Sequence, residues 1–175
     1  QDNLLNFFHD RLKVFLRDQE IRHDVIDAAI VMIKSDDLTL VVKRACALGE
    51  FLKSVEGENL LRSFKRANNI LTQAERQDGV EYSFDTDEKL TETDAERVLL
   101  KTLEVETPKI VTAVESEDFI TAMKRLASLR EPVDQFFEAV QVNTENQILR
   151  RNRLSLLSQI RSTCLSVADL SMIEG

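Results

Sequence analysis

With 175 residues the chain has room for one domain, or one domain with an appendage. Its 43% apolar and 31% charged residues are those of an ordinary globular protein, and no apolar run approaches the roughly 20 residues that span a bilayer. The net charge of −8 is lopsided: from Asp78 to Glu96 there are eight acids and only Lys89, so this stretch supplies −7 and does not exclude a nucleic-acid partner for the rest.

Four Gly and two Pro leave little turn material, so long helices are expected. Leu4, Leu5, Phe8, Leu12, Phe15 and Leu16 stripe a first helix, and Val25, Ile26, Ala29, Ile30 and Ile33 a second. Ser35-Asp36-Asp37 supplies an N-cap for a third, striped by Leu38, Val41, Val42, Ala45, Leu48, Phe51, Leu52 and Val55. Gly57 is expected to stop it before a fourth helix running from about Glu58 to Arg76. A polar, acidic insert follows at about 78–93, expected to self-repel and be mobile, with Val80, Tyr82 and Phe84 alternating as in a short extended piece. Thr93-x-x-Glu96 is a capping box that reopens helix, and Pro108 is expected to divide the next region into two helices. Ser116-Glu117-Asp118 caps another helix, Pro132 suits the first turn of a short one, and Thr144-x-x-Gln147 opens the last. The class is all-α, a bundle of about seven to eight helices, taken as a single domain over 1–175. The chain opens on Gln1 and runs straight into helix, so a piece of a longer protein is expected.

Catalytic signatures are missing. The dipeptides His9-Asp10 and His23-Asp24 evoke metal-dependent phosphohydrolases, but there is no third histidine to complete such a site. No nucleophile elbow or glycine-rich phosphate loop is visible, so no catalytic residue and no metal ligand is assigned. Cys46 and Cys164 lie 118 residues apart on apolar helical faces and are read as buried, reduced thiols of a cytoplasmic protein.

Two helices stand out by charge. The last runs acid-free from Asn146 to Ala168 and carries Arg150, Arg151, Arg153 and Arg161. In the fourth, Asn59 to Ala74 is also acid-free. Leu60, Leu61, Phe64, Ala67 and Leu71 share its apolar face, opposite Arg62, Lys65, Arg66, Asn69 and Gln73. A solvated face is one reading of these cations; the lack of compensating acids at i±4 favours a polyanion. Arg153 projects onto the apolar stripe of the last helix, where it either pairs with a core carboxylate or contacts RNA. The phenylalanines sit at core spacing and are expected inside.

Arg150-x-Asn152-Arg153-Leu154-x-Leu156-Leu157 resembles the last-helix signature of the DALR-type anticodon-binding domains of aminoacyl-tRNA synthetases. The blocks beginning at Asp10-Arg11-Leu12-Lys13, Ile21-Arg22-His23-Asp24, Phe64-Lys65-Arg66-Ala67, Pro132-Val133-Asp134 and Val167-Ala168-Asp169 narrow the likeness. They resemble the C-terminal region of the β subunit of bacterial heterotetrameric glycyl-tRNA synthetases. The resemblance implies a non-catalytic helical module that binds the anticodon arm of glycine tRNA. Its expected partners are the α subunit and the rest of β in an α2β2 assembly, with ATP and magnesium held by α and no cofactor here. Neither a membrane nor DNA is an expected partner. Arg62, Lys65, Arg66, Arg150 and Arg151 would neutralise phosphates, and Asn69 and Asn152 would read splayed bases. The rival expectation is a helical protein-interaction module docking another subunit or domain.

Overall fold

A computed structural model describes residues 2–31 and 37–174, with side chains from residue 7 onward except His9. Among these residues the chain forms α1 (Asp2–Asp18), α2 (His23–Ile30), α3 (Leu38–Leu52), α4 (Val55–Asp78), α5 (Asp94–Glu115), α6 (Phe119–Ala127), α7 (Arg130–Ala139) and α8 (Gln147–Leu165). Short 3-10 turns occupy Glu88–Leu90 and Leu170–Met172, and no strand occurs among the described residues. The all-α architecture expected from the spacing is the one observed. Ile33, Ser35 and Asp36, with the side chains of Leu4, Leu5 and His9, lie outside the described residues.

Helix starts follow short-range side-chain chemistry. Asp37 and Asp118 cap α3 and α6, and Thr93 and Glu96 complete the capping box of α5. Asn146 caps α8, so the helix begins two residues later than a Thr144-x-x-Gln147 box places it, and the Asn146 side chain accepts the first amide bonds.

Three expectations fail for identifiable reasons. Gly57 does not stop a helix: Ser54 caps α4, and Gly57 lies in its first turn, where an added Cβ would fall 2.0 Å from the Phe51 carbonyl oxygen. The α3–α4 elbow is thus closed by a backbone contact that only glycine permits. Gly57→Ala should lower stability by about 1–3 kcal/mol through overpacking, read as a shifted denaturant midpoint.

Pro108 does not divide its region. It sits inside the continuous α5 with its side chain exposed, so the missing amide leaves an unpaired carbonyl on the wet side of the helix. Leu103, Ile110 and Ala113 stay buried on the other side. Finally, Val80 and Phe84 are exposed while Tyr82 is buried, so the three do not form one face of an extended strand.

The core has two parts. The larger gathers Leu60, Phe64 and Leu71 of α4, Leu99, Leu103 and Ile110 of α5, Leu126 and Phe136 of α6 and α7, and Leu156, Ile160 and Cys164 of α8. The smaller joins Leu12 and Leu16 of α1 to Ile26, Ala29, Val41 and Ala45 of α2 and α3. The phenylalanines do not all enter them: Phe7, Phe8 and Phe15 lie exposed on α1, whose buried contacts with α2, among the described residues, come from Leu12 and Leu16. At the other end, Asp24 accepts from the amides of Val25 and Glu174, and Arg22 donates to Asp24 and the Glu174 carbonyl. The C-terminal segment is thereby strapped to α2.

Candidate nucleic-acid interface

The arginines of α8 turn out to have acids of their own, brought from far away in sequence. Arg150 donates to Asp78 at 2.6 Å, and also reaches the Tyr82 hydroxyl and the Asn143 side chain. Arg161 makes a two-pronged pair with Glu75 at 2.7 and 2.9 Å. Arg153 donates to fully buried Glu96 at 2.7 Å, to Glu92 at 3.0 Å and to the Gln141 carbonyl at 3.1 Å. Asn152 is buried and clasps the backbone of Asp87, accepting from its amide at 2.8 Å and donating to its carbonyl at 3.0 Å. The acid-free sequence of α8 therefore complements the carboxylates of Glu75 to Glu96.

These contacts alter the expectation for the acidic insert. Asp78, Tyr82, Asp87 and Glu92 are held by α8 side chains, which offset the self-repulsion that argued for mobility. Of the four arginines, Arg151 alone is exposed, with its guanidinium carbon 4.4 Å from the centre of the exposed Phe84 ring.

The pairing sets the response to acid. Hydrogen bonds from Arg150 and Tyr82 hold the Asp78 carboxyl below its usual range, and those from Arg161 do the same for Glu75. For Glu96, burial alone would raise the value, but the bonds from Arg153 and from the Thr93 and Glu92 amides outweigh it. A carboxyl depressed in the folded state contributes stability above its unfolded value, here 3.8 for Asp and 4.5 for Glu, and loses it as pH falls through the folded value. Stability should hold from neutrality to about pH 5 and decline below about 4.5. Urea midpoints against pH check this, and Arg161→Gln should flatten the decline.

The outward face of α4 is different. Arg62, Arg66, Asn69, Gln73 and Arg76 are all exposed and recur at helical spacing, forming one stripe along the helix. Lys65, at its edge, is partly buried and has an interaction of its own. The expectation that these cations lack acids at i±4 needs correction: Glu58 pairs with Arg62 at 3.2 Å, and both are well exposed. Such a pair is weak and yields readily to a polyanion. Arg66 has its guanidinium carbon 4.4 Å from the Phe137 ring centre. Spacing on α4 alone gave no hint of Phe137, and Arg76 fell just beyond the acid-free window. One signal was available: the neighbours Phe136 and Phe137 point about 100° apart on a helix, so both cannot face the core equally.

Set against the sequence expectations, the structure places Arg62, Lys65, Arg66 and Asn69 together on α4. Arg150, Asn152 and Arg153 belong to the internal clasp of α8, and Arg151 stands apart beside Phe84. Among the described residues no group of three or more His, Cys, Asp and Glu side chains is placed to hold a metal ion, and no helix is long and apolar enough to cross a membrane. Cys46 and Cys164 are free, and burial pushes the Cys164 thiol up to about 12.

Comparison with known proteins decides the family. The family described as "DALR anticodon binding domain" matches residues 60–174, from α4 to the C-terminal strap. The chain belongs to the DALR anticodon-binding domain family. The matched DALR region contains both the α4 stripe and the α8 clasp, while α1 to α3 precede it. Across its full length the chain is similar to proteins named glycine–tRNA ligase beta subunit. The one from Ruegeria sp. (strain TM1040) is 66% identical over 173 residues, covering 99% of this chain and 25% of the relative. That of Dinoroseobacter shibae is 65% identical over 175 residues, covering 100% and 24%. That of Rhodospirillum centenum is 46% identical over 174 residues, covering 99% and 24%. This DALR chain therefore spans about a quarter of the length of the curated relatives it matches.

Proposed function

We propose that this chain is the non-catalytic, anticodon-arm-binding part of a glycine–tRNA ligase β subunit, acting in the cytoplasm. The observation that carries the reading is the α4 stripe: Arg62, Arg66, Asn69 and Gln73, on a stretch that is acid-free from 59 to 74, are exposed in one row with Arg76 just beyond it, inside the DALR span. Cations so arranged neutralise successive phosphates, and the amides between them offer both donors and acceptors to unpaired bases. Arg150 and Asn152, committed to Asp78 and Asp87, act by shaping the domain. ATP and magnesium chemistry is assigned to a separate α subunit in an α2β2 assembly. This part contributes by holding the tRNA so that its acceptor end reaches that site.

The test is binding of the anticodon arm of glycine tRNA, with an anticodon-swapped arm as control, across a salt series. Preferential binding of the glycine arm that weakens steeply with salt is expected. Equal or absent binding of both arms would refute the reading.

A specific observation supports a second role beside the first. Phe7, Phe8, Val14 and Phe15 are exposed on α1, outside the DALR span, which favours contact with the rest of the β subunit or with α.

A further inference from the structure

Beyond phosphate neutralisation, α4 and α7 build a layered aromatic–guanidinium site. Phe136 is fully buried and meets Phe137 edge-on, with ring centres 5.4 Å apart and planes at 70°. Phe137 is half-buried, and Arg66 lies over its ring on the solvent side. The inner ring fixes the outer one, and the outer one carries the guanidinium. Asn69, exposed one turn further along α4, stands beside this layer with an amide able to donate and accept. Of the acids of α7 near Phe137, Asp134 is occupied by Ser63 at 2.5 Å and by Arg130 at 3.3 Å, while Glu138, the next residue, is exposed.

We infer that the Arg66–Phe137 layer is a stacking site for one unpaired nucleobase of the bound RNA loop, with Asn69 placed to hydrogen-bond the edge of that base. The inference rests on the anticodon-arm reading and adds to it a base site and a residue, Phe137, that phosphate contacts alone do not require. A guanidinium plane already ordered over an aromatic ring offers its outer face to a base without first losing side-chain freedom. Of the other such pairs among the described residues, Arg44 over Phe119 is buried, Arg11 over Phe7 lies on α1 outside the DALR span, and Arg151 over Phe84 is less suited. Phe84 has two exposed acids close by in sequence, Glu81 and Asp85, whereas beside Phe137 Glu138 is exposed and Asp134 is engaged, so phosphates flanking a stacked base meet more repulsion at Phe84.

The experiment uses the 175-residue chain and glycine-tRNA anticodon arms carrying 2-aminopurine at one loop position each. Arg66→Lys keeps the charge and removes the plane; Phe137→Leu keeps an apolar side chain and removes the ring. Each should weaken binding about 5- to 100-fold, the worth of one stacked base. Each should also abolish the fluorescence change at the same single loop position, while the log–log salt slope stays at the parent value. Thermal midpoints of both variants establish that they fold. Arg66→Lys or Phe137→Leu binding and quenching like the parent would overturn the stacking site, and binding that weakens on Arg62→Ala would then leave the anticodon-arm reading standing. No binding by the parent chain would remove both.

Discussion

Arg153→Ala should lower the stability of the chain by about 3–5 kcal/mol, because it leaves a buried carboxylate without its cation. Glu96 is fully buried, and its Oε1 atom accepts the Nε proton of Arg153 at 2.7 Å. The second oxygen is occupied by the amides of Glu92 and Thr93 and by the Thr93 hydroxyl, so it cannot turn to find a substitute. Loss of the arginine also frees the Gln141 carbonyl and Glu92. A double mutant separates the stranded charge from the rest: Arg153→Met with Glu96→Leu should recover part of the loss, since no buried carboxylate is left unpaired, while the amides of Glu92 and Thr93 still lose their acceptor. An unchanged urea midpoint in Arg153→Ala, with RNA binding lost, would instead move Arg153 to the RNA-contacting surface.

The second large effect concerns binding. Reversing charge on the α4 stripe with Arg66→Glu and Arg76→Glu together should reduce anticodon-arm affinity by at least two orders of magnitude at low salt. The salt slope should fall by roughly 0.7–0.9 for each phosphate that is no longer neutralised. Both residues are exposed, so folding should be nearly unaffected. The same exchange at Arg150 should behave oppositely, destabilising the fold by setting a carboxylate against Asp78, from which Arg150 is now 2.6 Å away. Comparing the two variants by denaturation and by RNA titration tests the division of labour between α4 and α8. Equal effects on binding from both would show that α8 also contacts RNA.

That division was only half legible in the sequence. Periodicity and capping are local properties, so Thr93 with Glu96, Asp37 and Asp118 marked helix starts correctly, and the spacing of Leu60, Phe64 and Leu71 gave the inner face of α4. The position of Arg153 on an apolar stripe pointed to a core partner for the same reason. What could not be read was tertiary pairing. Nothing local to Arg150 or Arg161 says that Asp78 and Glu75 will lie beside them, so an acid-free helix looked like a free basic surface when its counter-charges came from elsewhere. The phenylalanines of α1 show the same limit, since helical spacing identifies an apolar arc but not how much of it a neighbour covers. Pro108 failed differently: its cost depends on whether the broken hydrogen bond faces water, which only the packing of α5 decides.

The two-part core has a consequence for how the molecule comes apart. Val25, Ala28 and Leu48 belong to the larger cluster, whereas Ile26, Ala29, Val41 and Ala45 belong to the smaller, so the α2–α3 pair is a wall packed on both sides. Removing α1 uncovers one side of that wall and leaves the other seated on the DALR helices, where Arg44 still bonds the Val167 carbonyl at 3.0 Å. The molecule therefore has a preferred first step in opening: α1 can peel away at a free energy below that of global unfolding, carrying the Leu12 and Leu16 contacts with it. The amides of α1 then exchange as an early cooperative unit, while the α4 stripe and the α8 clasp remain folded until the larger cluster gives way.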